Sequence, residues 1–220
     1  MHVEFFVEEF SAKLALDAFL HHLLPPPHSF EVFNMNSKEQ LFIKLPQRLQ
    51  GYATMINTGG YNDLRVVVLV DRDDDDCRDL KQQLDAIAAG NNLVTKTEAE
   101  RLAGAPAPFQ VLNRVVCEEL ESWFFGDPEA VTKAFERVGD SHFRKTDLRA
   151  PDAIVGGTAQ ALLRTFNKAG YFKEYANPKH KLGNRWKADA AKAIGEHLHP
   201  DRNESPSFRA LVEGIRSLIA

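Results

Sequence analysis

Two regimes of apolar and polar positions divide this chain. In the first, short apolar runs each end in carboxylates. Val3–Val7 (VEFFV) leads into Glu8-Glu9, Arg65–Val70 (RVVVLV) into Asp71-Arg72-Asp73-Asp74-Asp75-Asp76, and Val111–Cys117 into Glu118-Glu119-Leu120-Glu121. Arg65–Val70 is β-branched, continuously apolar and short, which predicts a strand buried on both faces of a parallel sheet. Val3–Val7 and Val111–Cys117 also read as strands, and Phe30–Met35 alternates enough to be another. Helical stripes lie between them. Ser11 offers an N-cap to Leu14, Phe19, Leu20 and Leu23, a helix ended by Pro25–Pro27. Leu80, Leu84 and Ile87 form a second stripe, stopped by Gly90-Asn91. Gln40–Leu49 has spaced apolar residues but is broken by Pro46, so its type stays open.

The second regime begins past Asp127-Pro128 and is helical. Its stripes are Val131, Phe135 and Val138, then Ala159, Leu162, Leu163 and Phe166. Near the end, Ser205-Pro206 makes an N-cap and first-turn pair before Phe208, Leu211, Val212, Ile215 and Ile219. The expected fold class is therefore α/β: a core over residues 1–127 with a mainly parallel sheet, and a helical C-terminal extension over 128–220 packed on it. In open α/β sheets ligands bind beyond the carboxyl ends of the strands. All three acidic groups are expected to meet at one such edge.

Composition adds the exclusions. With 220 residues, 44% hydrophobic and 26% charged, the chain is ordinary for a globular protein, not a disordered or fibrous one. Two cysteines, Cys77 and Cys117, cannot make a disulfide scaffold and suit an intracellular protein. No apolar run is long enough to span a bilayer, and MHVEFFVEEF places carboxylates where a signal peptide needs apolar residues. The expected location is the cytoplasm, with no membrane partner. Charge is uneven: residues 1–127 hold 11 basic and 20 acidic residues, and residues 128–220 hold 16 and 11. An acidic half joined to a basic half suggests two different jobs.

Hard divalent cations such as Mg²⁺ and Mn²⁺ prefer carboxylate oxygens and keep waters for substrate. Asp71 and Asp73 at one strand end, with Glu8 and Glu121 from two others, meet that requirement. Asp74 and Asp76 suit solvent or the cap of the next helix. Spacing does not settle which of Glu118, Glu119 and Glu121 points inward. His21, His22, His197 and His199 lack a partner set at zinc-finger spacing.

VEFFVEE before a helix, VVVLVDRD at a strand end and a later CEELESW together resemble the Toprim domain of topoisomerases, primases and OLD-family nucleases. The larger pattern, including SPSFRAL, resembles a bacterial family called domain of unknown function 4276 over nearly the whole length. By that resemblance Glu8 matches the Toprim Glu, Asp71 and Asp73 the Asp-x-Asp, and Glu119 and Glu121 the extra acid of nuclease-type members. The resemblance implies a Toprim-like Rossmannoid core and hydrolysis of DNA or RNA phosphodiesters with Mg²⁺ or Mn²⁺. Glu8, Asp71, Asp73 and Glu121 would be catalytic, and these four with Glu119 would hold metal. It further implies the nuclease subunit of an ATPase-linked bacterial phage-defence system. No Walker loop occurs in this sequence, so the ABC-type ATPase would be a separate chain. A homodimer is allowed. Two departures weigh against a complete two-metal site: Glu9 replaces the usual Gly, and Ala12 stands where OLD nucleases often add an acid.

The basic half offers a second function. Residues 162–192 contain Arg164, Lys168, Lys173, Lys179, Lys181, Arg185, Lys187 and Lys192, interleaved with Phe166, Tyr171, Phe172, Tyr175 and Trp186. Such a mixture suits phosphates and stacked bases, with Lys179, Lys181, Arg185 and Lys187 as the expected nucleic-acid contacts. It equally suits a positive helix surface whose aromatics anchor the core. Two rivals remain to the nuclease. A haloacid-dehalogenase-like phosphatase would use Asp71 as nucleophile, although Asp75 stands where that family has Thr or Val. A non-catalytic interaction subunit of an ATPase complex would use the acidic edge to bind a partner.

Overall fold

The computed structural model describes residues 1–104, 107–143, 148–154, 157–176 and 183–220. The strands are β1 (His2–Val7), β2 (Ser29–Asn34), β3 (Leu64–Asp71) and β4 (Val111–Val116). They form one all-parallel sheet in the order β2-β1-β3-β4. Among the described residues the α-helices are α1 (Phe10–Phe19), α2 (Lys38–Thr58), α3 (Cys77–Gly90), α4 (Lys96–Ala103), α5 (Glu121–Gly126), α6 (Pro128–Ala134), α7 (Thr158–Lys168), α8 (Arg185–Gly195) and α9 (Pro206–Ile219). The protein is thus α/β with C-terminal helices, as the sequence pattern implies.

Alternation along β3 divides the core. Val66, Val68 and Val70 face a cluster with Leu45 and Leu49 of α2 and Leu80 and Leu84 of α3. Val67 and Leu69 face the other cluster, with Leu16 and Phe19 of α1, Ile194 of α8 and Phe208 and Leu211 of α9. Each such fully buried side chain contributes roughly 1.5–3 kcal/mol. Residues on both sides of position 127 thus share one hydrophobic cluster. At Gly195 the backbones of α8 and α1 come close: a Cβ there would stand 2.8 Å from the Ala15 carbonyl oxygen.

The SPSFRAL segment caps α9 and, with Asn203, ties its start to α5. Ser205 caps the helix by accepting from the Phe208 N–H at 3.2 Å, as its sequence predicts. Ser207 accepts from the Trp123 indole N–H at 3.1 Å, and Asn203 donates to the Trp123 carbonyl at 2.8 Å.

Two local expectations change, and one open segment is settled. Glu9, not Ser11, occupies the N-cap of α1; Ser11 lies within the first turn and donates to Glu9 Oε2 at 3.1 Å. The Gln40–Leu49 segment is helical, and α2 runs straight through Pro46. A proline inside a helix forfeits a hydrogen bond and costs about 3 kcal/mol. Burial of Leu41, Leu45, Leu49, Tyr52 and Ile56 along one stripe offsets that cost. Finally, α6 stops at Ala134, so Phe135 and Val138 reach the core from the segment beyond it. No helix among the described residues is long and apolar enough to cross a membrane.

Candidate functional site

Parallel strands put every carboxyl end at one edge, and the strand order reverses between β1 and β3, a switch point of the kind where α/β sheets bind ligands. Glu8 follows β1 there, and Asp71 closes β3 opposite Val116. Glu8 is buried, 7% exposed, and its Oε1 accepts from the Asp71 backbone N–H at 2.8 Å. Burial pushes the Glu8 carboxyl up to about 7, against the opposing pull of the Asp71 N–H and Lys38. Asp71 is raised well above the usual range as well, first by burial and then by Glu8, Glu121, Glu9 and Asp73. A pocket of about 10 Å³ lies between them, lined by Glu8, Glu9, Ala12, Asp71, Leu69, Val116 and Leu120.

The β3 loop is folded by its own backbone. Asp75 N–H donates to the Arg72 carbonyl at 3.0 Å, and Asp73 adopts a φ of 50°. Asp73 and Asp75 are exposed and share one cation: Lys38 Nζ lies 2.8 Å from Asp73 Oδ2 and 2.9 Å from Asp75 Oδ2. Asp76 caps α3, accepting from the Arg78 and Asp79 N–H groups at 2.7 and 3.2 Å. That is the role its position before a helix suggests.

The three glutamates after β4 separate into three roles. Glu118, at a φ of 66°, pairs with Arg72. Glu119 turns to the start of α7, where Oε2 accepts from the Thr158 hydroxyl at 3.1 Å and the Ala159 N–H at 2.9 Å, and its Oε1 lies 3.2 Å from Lys187 Nζ. Burial raises this carboxyl, but those donors outweigh it and hold it below its usual value. Glu121, in the first turn of α5, points inward at 2% exposure. Its Oε1 lies 3.5 Å from Lys187 Nζ, while its Oε2 is buried without a hydrogen-bond partner. Burial pushes Glu121 up to about 7, with Lys187 pulling the other way.

Lys187 therefore belongs to the acidic edge rather than to a phosphate-facing surface. It is 8% exposed because the adjacent Trp186, with Ala190, Ala191 and Ile194, packs α8 into the core. Burial disfavours its charge, but Glu121, Glu9 and Glu119 more than compensate and raise it above its usual value. Arg185 is exposed at the first turn of α8; Lys179 and Lys181 lie outside the described residues. Of the interleaved aromatics, Phe166 and Trp186 are buried, and Tyr171, Phe172 and Tyr175 are half-buried against the same cluster: Phe166 lies 4.6 Å from Phe135, 5.3 Å from Phe172 and 6.2 Å from Trp186 between ring centroids. Cys77 and Cys117 are free thiols, both half-buried, and burial with Asp152 and Cys77 nearby pushes Cys117 up to about 11.

Among the described residues, no group of three His, Cys, Asp or Glu side chains stands ready to hold a metal ion. The donor chemistry nevertheless fits a hard cation. The central acids offer only oxygen, Glu121 Oε2 has no partner, and Glu8 and Glu121 are raised by burial. Lys38 and Thr158 are the members of this edge that sequence reading missed. A signal for Lys38 was present: Ser37-Lys38 closely follows the end of β2, at the same sheet edge as the acids.

A family model described as Domain of unknown function (DUF4276) matches residues 7–216. The chain is also similar to the C-terminal region of the Xanthomonas campestris pv. campestris OLD protein, at 19% identity and a TM-score of 0.40, over 99% of this chain and 95% of that one. Comparison with curated proteins finds no match.

Proposed function

The chain belongs to the DUF4276 family, and from the site that its sequence folds into we propose a divalent-cation-dependent nuclease, hydrolysing DNA or RNA phosphodiesters on a Toprim-like core. One observation supports this reading: Glu8 is hydrogen-bonded to the Asp71 N–H at the switch point, and the buried Glu121, its Oε2 unpartnered, is near enough to raise the Asp71 carboxyl. Glu8 and Asp71, with Glu121 beside them, would hold Mg²⁺ or Mn²⁺, while Asp73 stays paired with Lys38. When bound, the ion supplies Lewis acidity toward water and a phosphate oxygen. Glu8 positions the β3 end through its bond to the Asp71 N–H, and Leu69, Val116 and Leu120 limit access of bulk water. Lys187 places a buried positive charge beside Glu121 and so fixes the far side of the acidic edge. Glu119 fixes that ammonium and the start of α7. In this reading the protein serves an ATPase-linked defence system, with the ABC-type ATPase on a separate chain.

The test is a gel assay of plasmid, single-stranded DNA and RNA with Mg²⁺ or Mn²⁺, with and without an ATPase encoded beside this gene, run next to a phosphate-monoester assay. Cleavage that disappears in Asp71→Asn and in Glu8→Gln supports the nuclease. Monoester hydrolysis that is lost in Asp71→Asn and kept in Glu8→Gln would make it a phosphatase, and neither activity would leave an interaction subunit.

A further inference from the structure

Lys38 is the first residue of α2, and its ammonium crosses the sheet edge to the β3 loop. Besides its ion pairs with Asp73 and Asp75, at 2.8 and 2.9 Å, it donates to the Arg72 carbonyl at 3.3 Å. Its side chain is only 19% exposed. On the far side of the edge Lys187 holds Glu119 and Glu121, at 3.2 and 3.5 Å. Of the three acids that line the small pocket beside β1 and β3, Glu9 lies 4.0 Å from Lys187, while Glu8 and Asp71 have no ion-pair partner among the described residues. Lys38 acts on Glu8 only at longer range. These two border the pocket of about 10 Å³, room for about one water-sized guest. The partnerless Glu121 Oε2 is a buried oxygen of the same cluster.

We propose that Lys38 is a positioning residue that sets the cation count at one. Its ammonium occupies the position beside Asp73 that a second divalent ion would need, and it leaves Glu8 and Asp71 to hold a single ion. This rests on the metal-dependent reading above. The physical reason is charge: a lysine ammonium is a compact, fixed positive point. A second dication at Asp73 would have to displace it or bear its repulsion. A single Mg²⁺ or Mn²⁺ needs few carboxylates, because it keeps several waters of its own.

Calorimetric titration of Mn²⁺ into the full chain tests this without any activity measurement. The parent protein should bind one ion. Lys38→Met removes the charge and frees Asp73 and Asp75, so it should take a second ion or bind the first on the order of tenfold more tightly. Lys38→Gln, a second neutral variant, should behave as Lys38→Met does, and Lys38→Arg, which keeps the charge, should behave as the parent does. A purely structural Lys38 would instead give weaker binding in the neutral variants. Two ions in the parent, or unchanged or weakened binding in folded Lys38→Met and Lys38→Gln, would overturn the role of Lys38 alone. No Mn²⁺ binding by the parent would overturn the metal reading itself, and this proposal with it.

Discussion

The side chain of Glu8 accepts a hydrogen bond from the backbone N–H of Asp71 at 2.8 Å, so the acid that follows β1 is tied to the last residue of β3. The bond holds two carboxylates close together where burial already disfavours their charge. A backbone donor cannot swing away as a side chain can. The two acids therefore stay adjacent, and Lys38 is the cation that draws Glu8 back toward its charged form.

That relationship gives the metal-free protein an unusual pH dependence. Glu8 and Glu121 are both raised from 4.5 to about 7. Between those values the folded chain keeps protons that the unfolded chain has released, so stability falls as pH rises through the window and levels off above it. The two groups together should cost a few kcal/mol between pH 5 and pH 8. Urea unfolding across that range measures it. Glu8→Gln, which retains a hydrogen-bond acceptor for Asp71, should flatten the slope, and Mn²⁺ should restore stability at pH 8. Stability that climbs from pH 5 to pH 8 without metal would show that these acids are not buried as described.

Lys187 makes the opposite case, a buried cation whose loss strands its partners. Lys187→Met would leave Glu119 and Glu121 without their cation, and breaking one side of a buried pair costs about 3–5 kcal/mol. Adding Glu121→Gln to that variant should recover part of the loss, because one uncompensated carboxylate disappears. A double-mutant cycle by chemical denaturation measures the coupling. A loss below about 1 kcal/mol for Lys187→Met would mean that the pair is solvated and worth no more than a surface contact.

Gly195 links this charge to the packing. A Cβ there would meet the Ala15 carbonyl oxygen at 2.8 Å and the Ala15 Cα at 3.0 Å, both backbone atoms. Gly195→Val must therefore push α8 away from α1, and overpacking of this kind costs about 1–3 kcal/mol. The melting temperature should drop by roughly 2–12 °C, and Mn²⁺ binding should change as Lys187 shifts with its helix. Gly51, in the middle of α2 with nothing within 4 Å of an added Cβ, is the control. Gly51→Ala should hold or raise the melting temperature, since alanine suits a helix interior better. Equal melting of Gly195→Val and the parent would refute the close helix contact.

What the sequence revealed depended on how local each cause was. The parallel sheet and its acidic edge follow from apolar runs that end in carboxylates, and the caps at Asp76 and Ser205 follow from residues within a few positions. Pro46 left the type of Gln40–Leu49 open because the stripe that outweighs it, from Leu41 to Ile56, is satisfied only by burial against the sheet. Glu119 could not be separated from Glu121 by spacing, because the start of α7 that claims Glu119 lies some forty residues away. Lys187 read as a surface cation for a similar reason: its neighbours in sequence are basic, but its neighbours in space are acids on other elements.

The relocation of Lys187 sharpens what remains of the basic surface. An exposed cation that neutralises a phosphate of a single strand releases a counterion and contributes about 0.7 to the slope of log affinity against log salt, whereas a cation already neutralised by buried carboxylates contributes little. Arg185 is exposed, and Lys179 and Lys181 precede it in the sequence. Replacing these three with Gln should weaken binding to a single-stranded oligonucleotide and flatten the salt slope by roughly 0.7 for each phosphate that is no longer neutralised. Lys187→Gln should leave the slope nearly unchanged, even where it lowers stability or cleavage. Fluorescence anisotropy at several salt concentrations, with Ca²⁺ in place of Mg²⁺ to suppress cleavage, distinguishes the two. A slope reduced by Lys187→Gln but not by the triple replacement would place the phosphate contact at the acidic edge itself, and the basic stretch would then be an ordinary charged surface.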